Sequence, residues 1–408
     1  RLWSVTWSYE RIADYGPRLI GPAVQPAQDL RGNEAGLSVL ALCVTLFGLL
    51  SHVPTQVRSL LAASFDGEGS FNRVRRFLRA GDEQWPELIG DADPWVAWAA
   101  TRCLAAQQED DGDPQASLRT IETLLGRLHG NDLAGIHLLE LHLHRLQVLM
   151  SLGRYSQVID ACSRAQVLLD RVLPSWGEFF RTTLRLEGAY CAVYLDPRPE
   201  TADRLLESLE PVDLPGTMRF IARSVLGELE LTRGNARTAA LIQRVSLRYA
   251  GNWRSILGSG SQWELYILSM CLVTDVELSP DDAVELDARA IRARATSLLR
   301  EILSDPAPRQ RDIPTIMAFV AAVGLSIVAA EDTGSDRRAA GAELVATALA
   351  VGTNQTCRLL SHDYLRSRTE RLDTRALAQA EERIRPLNRS ELVAHAADLA
   401  GRLAGEVG

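Results

Sequence analysis

Residues 137–170 read HLLELHLHRLQVLMSLGRYSQVIDACSRAQVLLD, and this stretch decides the fold. Leu139, Leu143, Leu146 and Met150 recur three or four residues apart, the period of one helix face. Leu152-Gly153-Arg154-Tyr155 interrupts, and Val158, Cys162, Ala165 and Leu169 then take up the same period. Two apolar helical faces joined by so short a turn make an antiparallel hairpin. Gly153 is expected to supply the positive φ that ends the first helix, and Tyr155 to wedge between the two.

The pattern returns downstream. Ala222, Val225 and Leu229 form one face, Gly234-Asn235 makes the turn, and Thr238, Ile242, Val245 and Tyr249 form the returning face; Gly227 and Ala239 are small where helices meet closely. The turn glycines Gly153 and Gly234 lie 81 residues apart. Between them, Leu184, Gly188, Cys191 and Leu195 precede the turn Asp196-Pro197-Arg198-Pro199, and Ala202, Leu205, Leu206 and Leu209 follow it. The interval therefore holds two repeats of about 40 residues. Upstream, a helix over 95–106 reaches the acidic turn Glu109–Asp113, Pro114 opens the next helix, and Gly112 lies 41 residues before Gly153.

Further hairpins are expected on both sides. One pairs 35–50 with 55–63 across Ser51-His52-Val53-Pro54. Another follows Ile316, Val320, Val323 and Ile327 through Asp332-Thr333-Gly334-Ser335 to Ala340, Leu344 and Ala348. Helices over 375–383 and 391–403, split by Pro386-Leu387-Asn388-Arg389-Ser390, close the array, with Ser390 before Glu391 as the helix cap. The expected division is 1–92 for N-terminal hairpins, 93–255 for the repeats, 256–352 for further hairpins and 353–408 for capping helices.

Composition narrows the chemistry. Of 408 residues, 46% are hydrophobic and 6% aromatic, a helical balance with no convincing strand, and a stack of hairpins accommodates such a length because its core grows along an axis. All 44 basic residues are Arg. Without a Lys, neither a P-loop nor a pyridoxal Schiff base can be built from this chain. A net charge of −8 is the wrong sign for a nucleic-acid surface, and the cluster Arg73, Arg75, Arg76 and Arg79 reads as a solvated helix face. The six cysteines are widely separated with no CxxC pair, implying buried thiols in a reducing cytoplasm. The run LSVLALCVTLFGLL at 37–50 is shorter than the roughly 18–20 residues a bilayer needs and reads as a buried helix. Because the chain opens at Arg1 without a Met or signal segment, a longer parent protein is expected.

Leu152-Gly153-Arg154-Tyr155 with Val158, Ile159 and Ala165, and again Leu226-Gly227 with Gly234, Ala236 and Ala239, resembles tetratricopeptide repeats at their small and turn positions, with a spacing nearer 40 than the usual value of about 34. The layout, including the closing stretch DTRALAQAEERIRPLNRSELVAHAADLA, looks like the C-terminal sensor arrays of AfsR-type actinobacterial transcriptional regulators. That resemblance implies an all-α, right-handed superhelical solenoid of hairpins carrying a concave groove. It also implies an ATPase and a DNA-binding domain upstream.

Four constellations are candidates for chemistry. His137, Glu140 and His144 share a helical face with the spacing of zinc or iron ligands, but a di-iron bundle needs several such motifs, and a polar helix surface is expected. Asp281-Asp282-Ala283-Val284-Glu285 resembles a magnesium-binding acidic motif, yet it follows Ser279-Pro280, the signature of a helix start. Asp110-Asp111-Gly112-Asp113 lacks the later Glu of a calcium loop, and Gly258-Ser259-Gly260 is only a fragment of a nucleophile elbow. Trp3, Trp7, Trp85, Trp95, Trp98, Trp176, Trp253 and Trp263 are expected to anchor helix packing, with any that line a groove available to a ligand.

The reading is a non-enzymatic sensor or interaction array without cofactor, metal or catalytic residues. It takes a protein partner or small effector in its groove and touches neither nucleic acid nor membrane. The alternatives are a stand-alone adaptor and a helical metal-dependent enzyme using Asp281, Asp282 and Glu285.

Overall fold

The structure, a computed structural model, describes residues 84–128, 135–172, 178–196, 198, 200, 216–257, 262–304, 313–330 and 334–405. Among the described residues there are fifteen α-helices and no strand, so the chain is all-α as its composition implies. The apolar run at 37–50 and its hairpin, the arginine cluster at 73–79, the second half of the 196–209 hairpin, and Gly258-Ser259-Gly260 lie outside them, as do Trp3, Trp7, Trp176 and the side chains of Trp253 and Trp263. No helix among the described residues is long and apolar enough to cross a membrane. The chain parts into two units, 1–148 and 149–408.

In the first unit, α1 (Trp85–Leu88) precedes α2 (Pro94–Asp110) and α3 (Pro114–Arg127). Asp93 caps α2 by accepting from the Trp95 N–H at 2.9 Å, and Pro94 fills a first-turn position whose N–H needs no partner. The turn between α2 and α3 explains its own acidity. Gly112 adopts φ +75°, and Asp113 then caps α3 through the Ala116 N–H at 2.9 Å. Trp85, Trp95 and Trp98 are buried in this unit, as are Leu118, Ile121 and Leu124 of α3.

Helix α4 (Gly135–Ser151) runs from the first unit into the second, where Gly153 at φ +66° turns the chain into α5 (Tyr155–Val172). At that turn the Gly153 N–H bonds to Met150 O and the Arg154 N–H to Leu149 O, both at 2.9 Å. The same pair recurs at Gly112, from Gly112 and Asp113 to Glu109 and Gln108, and at Gly234 (φ +84°), from Gly234 and Asn235 to Leu231 and Glu230. Three identical helix stops thus underlie the sequence spacing: the glycine takes the left-handed conformation while two orphan carbonyls find donors. Nothing lies within 4 Å of a Cβ built on Gly234, so Gly234→Ala tests conformation alone. It is expected to lower stability by about 1 kcal/mol. Gly126→Ala, inside α3 and equally uncrowded, is expected to raise it by about 0.5–1 kcal/mol. Urea midpoints of the two variants, moving in opposite directions, check both.

The second unit continues with α6 (Glu178–Leu195), α7 (Gly216–Thr232) and α8 (Ala236–Leu257), then α9 (Gln262–Asp275), α10 (Pro280–Glu285) and α11 (Ala288–Ser304). Next come α12 (Ile313–Ala329), α13 (Ser335–Val351), α14 (His362–Ile384) and α15 (Arg389–Gly405). Helix α12 is buried on every side from Pro314 to Val328, more than the single face Ile316, Val320, Val323 and Ile327 suggests. A helix apolar all round belongs at the centre of a core, and residues of α9, α11, α13, α14 and α15 share one core around it. Arg244 of α8 binds Asp275 of α9 with two hydrogen bonds of 2.7 and 3.0 Å and donates to Leu286 O, tying α8 to the neighbouring elements.

Three local expectations change. The buried face of α8 is Ala239, Ala240, Gln243, Ser246 and Leu247, whereas Thr238 and Val245 are exposed. Gln243 is drawn inward because its amide bonds Ser224 O at 2.8 Å and Ser224 Oγ at 3.1 Å, and Gly227 leaves room for it. The cap of α15 is Asn388, not Ser390: Asn388 Oδ1 accepts from the Glu391 N–H, and Glu391 Oε2 accepts from the Asn388 N–H, a reciprocal capping box. The helix expected over 375–383 is the second half of α14. A kink at Asp373 separates the halves, and its carboxylate re-caps the second through the Ala376 N–H at 2.9 Å.

Candidate functional site

The constellations singled out from sequence fall in different places. Asp281 and Asp282 lie in the first turn of the short helix α10 and Glu285 is its last residue, with Ser279 capping and Pro280 opening it as expected. Arg237 of α8 binds Asp282 and, at 2.6 and 2.7 Å, both oxygens of Glu285. The carboxylates thus spend their charge on an exposed guanidinium. His137, Glu140 and His144 do not form the polar surface expected of them. His144 is 6% exposed, and its Nε2 pairs with the Glu109 carboxylate of α2, to which Ser117 of α3 also donates at 3.1 Å. Burial lowers the His144 pKa, with the nearby Arg102 guanidinium adding to the effect, so the ring is held neutral. The His137 ring lies 4.1 Å from the Trp98 ring, centroid to centroid. These histidines join helices, and no group of three or more metal-ligating side chains occurs among the described residues.

The second unit holds a site that sequence reading did not find. After α13, Gly352 at φ +110° releases the chain into a segment, residues 353–361, with the short 3-10 turn Arg358–Leu360 at its end. Five helices hold it. The Gln355 N–H donates to Ser151 O at the end of α4 at 2.9 Å, and the Tyr155 hydroxyl at the start of α5 donates to Gln355 O at 2.7 Å. At the start of α12, Pro314 O accepts from the Asn354 N–H at 2.9 Å and Thr315 Oγ1 from the Asn354 side chain at 3.1 Å. The Cys357 thiol donates to the Tyr266 hydroxyl of α9, and the His362 N–H of α14 donates to Gln355 Oε1 at 3.3 Å. Tyr155 therefore does not wedge within its own hairpin. Its ring packs on Tyr194 of α6, with centroids 5.0 Å apart, and its hydroxyl reaches a residue 200 positions away.

Beneath Cys357 lies Glu228 of α7, 2% exposed. It faces the Tyr194 hydroxyl, the Cys357 thiol and the N–H groups of Arg358 and Leu359, yet neither carboxylate oxygen has a hydrogen bond of normal geometry. Tyr155, Tyr190, Tyr194 and Tyr266 all feel its charge. Burial pushes Glu228 up to about 7 and raises Cys357 and all four tyrosines well above their ordinary values. Near neutrality the cluster therefore presents protonated donors and ring faces around one carboxylate, an arrangement suited to recognition.

Compared with known proteins, the chain matches no family model, no curated protein and no solved structure. The site's partial sequence signals were Tyr155, beside the turn glycine, and Cys357, outside any helical period. Glu228 gave none, because in LGELELT it has the look of a solvated helix residue.

Proposed function

We propose that this chain is a binding array for an extended polypeptide segment, the sensor arm of a bacterial signal-transducing transcriptional regulator of the AfsR type. One observation carries the binding part: residues 353–361 are held across five helices by backbone groups of Asn354 and Gln355 together with the Asn354, Gln355 and Cys357 side chains. The main-chain part of that recognition depends little on sequence, so the same helices suit a partner's segment. The three equivalent glycine-stopped hairpins at Gly112, Gly153 and Gly234 support the tetratricopeptide-like part of the reading. The mechanism is non-covalent. A partner segment competes with residues 353–361, and the exchange biases an attached effector domain by the difference in affinity between the two states. An in-frame ATPase and DNA-binding domain upstream of Arg1 in the gene would separate the regulator arm from a stand-alone adaptor.

The binding part is tested with a fluorescent peptide of sequence TNQTCRLLS, residues 353–361. A Tyr155→Phe/Gln355→Pro chain loses the Ser151, Tyr155 and His362 hydrogen bonds of Gln355, which is expected to loosen the segment from the site. Fluorescence anisotropy is expected to show saturable binding to this chain and at least tenfold weaker binding to the wild type, where the tethered segment competes. A peptide that binds neither chain sinks the reading.

A further inference from the structure

The Glu228 site is chemically incomplete. A carboxylate 2% exposed normally has a cation or a set of hydrogen bonds to offset the water it lost. Here both oxygens go without, and the buried Tyr190 hydroxyl beside them is also without a partner. The groups facing the carboxylate are a phenol, a thiol and two backbone N–H groups, none of them a formal cation. Arg358 offers the carboxylate its N–H, while its exposed guanidinium acts on Tyr155. The other acidic group acting on Tyr190 is Glu187, which burial pushes up to about 8 and so keeps protonated near neutrality. Tyr155, Tyr190, Tyr194 and Tyr266 lie near enough to Glu228 to feel its charge, the rings of Tyr155 and Tyr194 pack on each other, and tyrosine rings attract cations. No formal cation faces Glu228, and the occupant supplied by the chain itself, Cys357, is neutral.

We infer that Glu228, walled by Tyr155, Tyr190, Tyr194 and Tyr266, is the receptor for a lysine ammonium group on the partner segment that displaces residues 353–361. The inference rests on the proposed binding of an extended segment and names what that segment must carry. Cys357 marks the position: its thiol lies between Tyr266 and Glu228, and a side chain entering there in trans meets both. The thiol is small, which favours a compact ammonium over a planar guanidinium. These 408 residues include no Lys, so the group must be supplied from outside them. The tethered segment thus fills the site sterically while leaving its charge unmatched. A lysine-bearing competitor gains the ion pair and cation–π contacts that the tethered segment lacks.

Two measurements test this. In the first, Cys357→Gly removes the thiol, with Cys357→Ala as the milder substitute should the glycine chain not fold. Methylammonium chloride is expected to raise the Tm of that chain saturably, beyond the effect of sodium chloride at equal ionic strength. In a Cys357→Gly/Glu228→Gln chain the response should be at least tenfold weaker. A response no greater than that to sodium chloride, or one indifferent to Glu228→Gln, overturns the inference. In the second, TNQTCRLLS and TNQTKRLLS are compared on the Tyr155→Phe/Gln355→Pro chain, where the lysine peptide should bind at least tenfold tighter. Equal affinity overturns the ammonium site and leaves the peptide reading standing. If neither peptide binds while methylammonium still acts through Glu228, the peptide reading falls and the ammonium site stands.

Discussion

Gly324→Val is expected to cost the second unit on the order of 4 kcal/mol, enough to bring a domain of ordinary stability close to unfolding. Gly324 of α12 and Gly341 of α13 meet backbone to backbone. A Cβ on Gly324 would stand 2.5 Å from Gly341 O and 3.0 Å from both Leu344 Cβ and Val345 Cγ2; one on Gly341 would stand 2.9 Å from Gly324 O. A carbonyl cannot rotate away as a side-chain tip can, so the two helices must separate. Ordinary overpacking costs about 1–3 kcal/mol. The larger figure expected here follows from the position of α12, buried along nearly its whole length at the centre of the unit. Gly401→Val in α15, where nothing lies within 4 Å, provides the control within the same unit. Urea unfolding should give a much lower midpoint for Gly324→Val and an unchanged or slightly higher one for Gly401→Val. Equal midpoints would falsify the close crossing.

The second large effect is on pH dependence. Glu228 has its pKa raised by burial from an ordinary 4.5 to about 7, so between those values the folded chain holds a proton that the unfolded chain has released. Stability from this group is therefore full below about 4.5, falls as pH rises, and is lost above about 7. The difference is up to about 3 kcal/mol. Glu187, raised by burial to about 8, adds a loss of the same sign over a window reaching higher. The neighbouring Tyr155, Tyr190, Tyr194, Tyr266 and Cys357 stay protonated throughout and do not contribute. Neutral His144, in the first unit, acts oppositely, losing stability below its unfolded pKa of 6.5. Comparing wild type with Glu228→Gln cancels these other groups. Relative to wild type, the variant should unfold at higher temperature at pH 8 than at pH 5. A difference between the two chains that is constant across pH would mean that Glu228 is ionised in both states.

Much of the local architecture was legible because it is written in short-range signals. Gly112, Gly153 and Gly234 announce helix stops, Asp113 and Ser279 announce starts, and the three- and four-residue period of Leu139, Leu146, Val158, Ala165 and Leu169 identifies faces that are indeed buried. Errors arose where a polar residue was the one buried. Gln243 turned α8 away from the face that Val245 suggested, and His144 was taken for a surface residue because its partner, Glu109, belongs to a different hairpin. Glu228 was further beyond reach. Its burial depends on a segment more than a hundred residues later in the chain, and hydrophobic periodicity carries no information about such distant cover.

The 200-residue span between Tyr155 and Gln355 also sets an order in time. Hairpins of local contacts close early, whereas contacts of such sequence separation must await the later chain. At roughly 5–20 residues per second, translation from Glu228 to Leu359 takes on the order of ten seconds. Throughout that interval Glu228 stands with the tyrosines made before it, Tyr155, Tyr190 and Tyr194, and without the segment that covers it; Tyr266 is added along the way. On the proposed exchange, a partner segment present during that interval has no tethered competitor to displace, so the choice between bound and self-closed forms opens first on the ribosome.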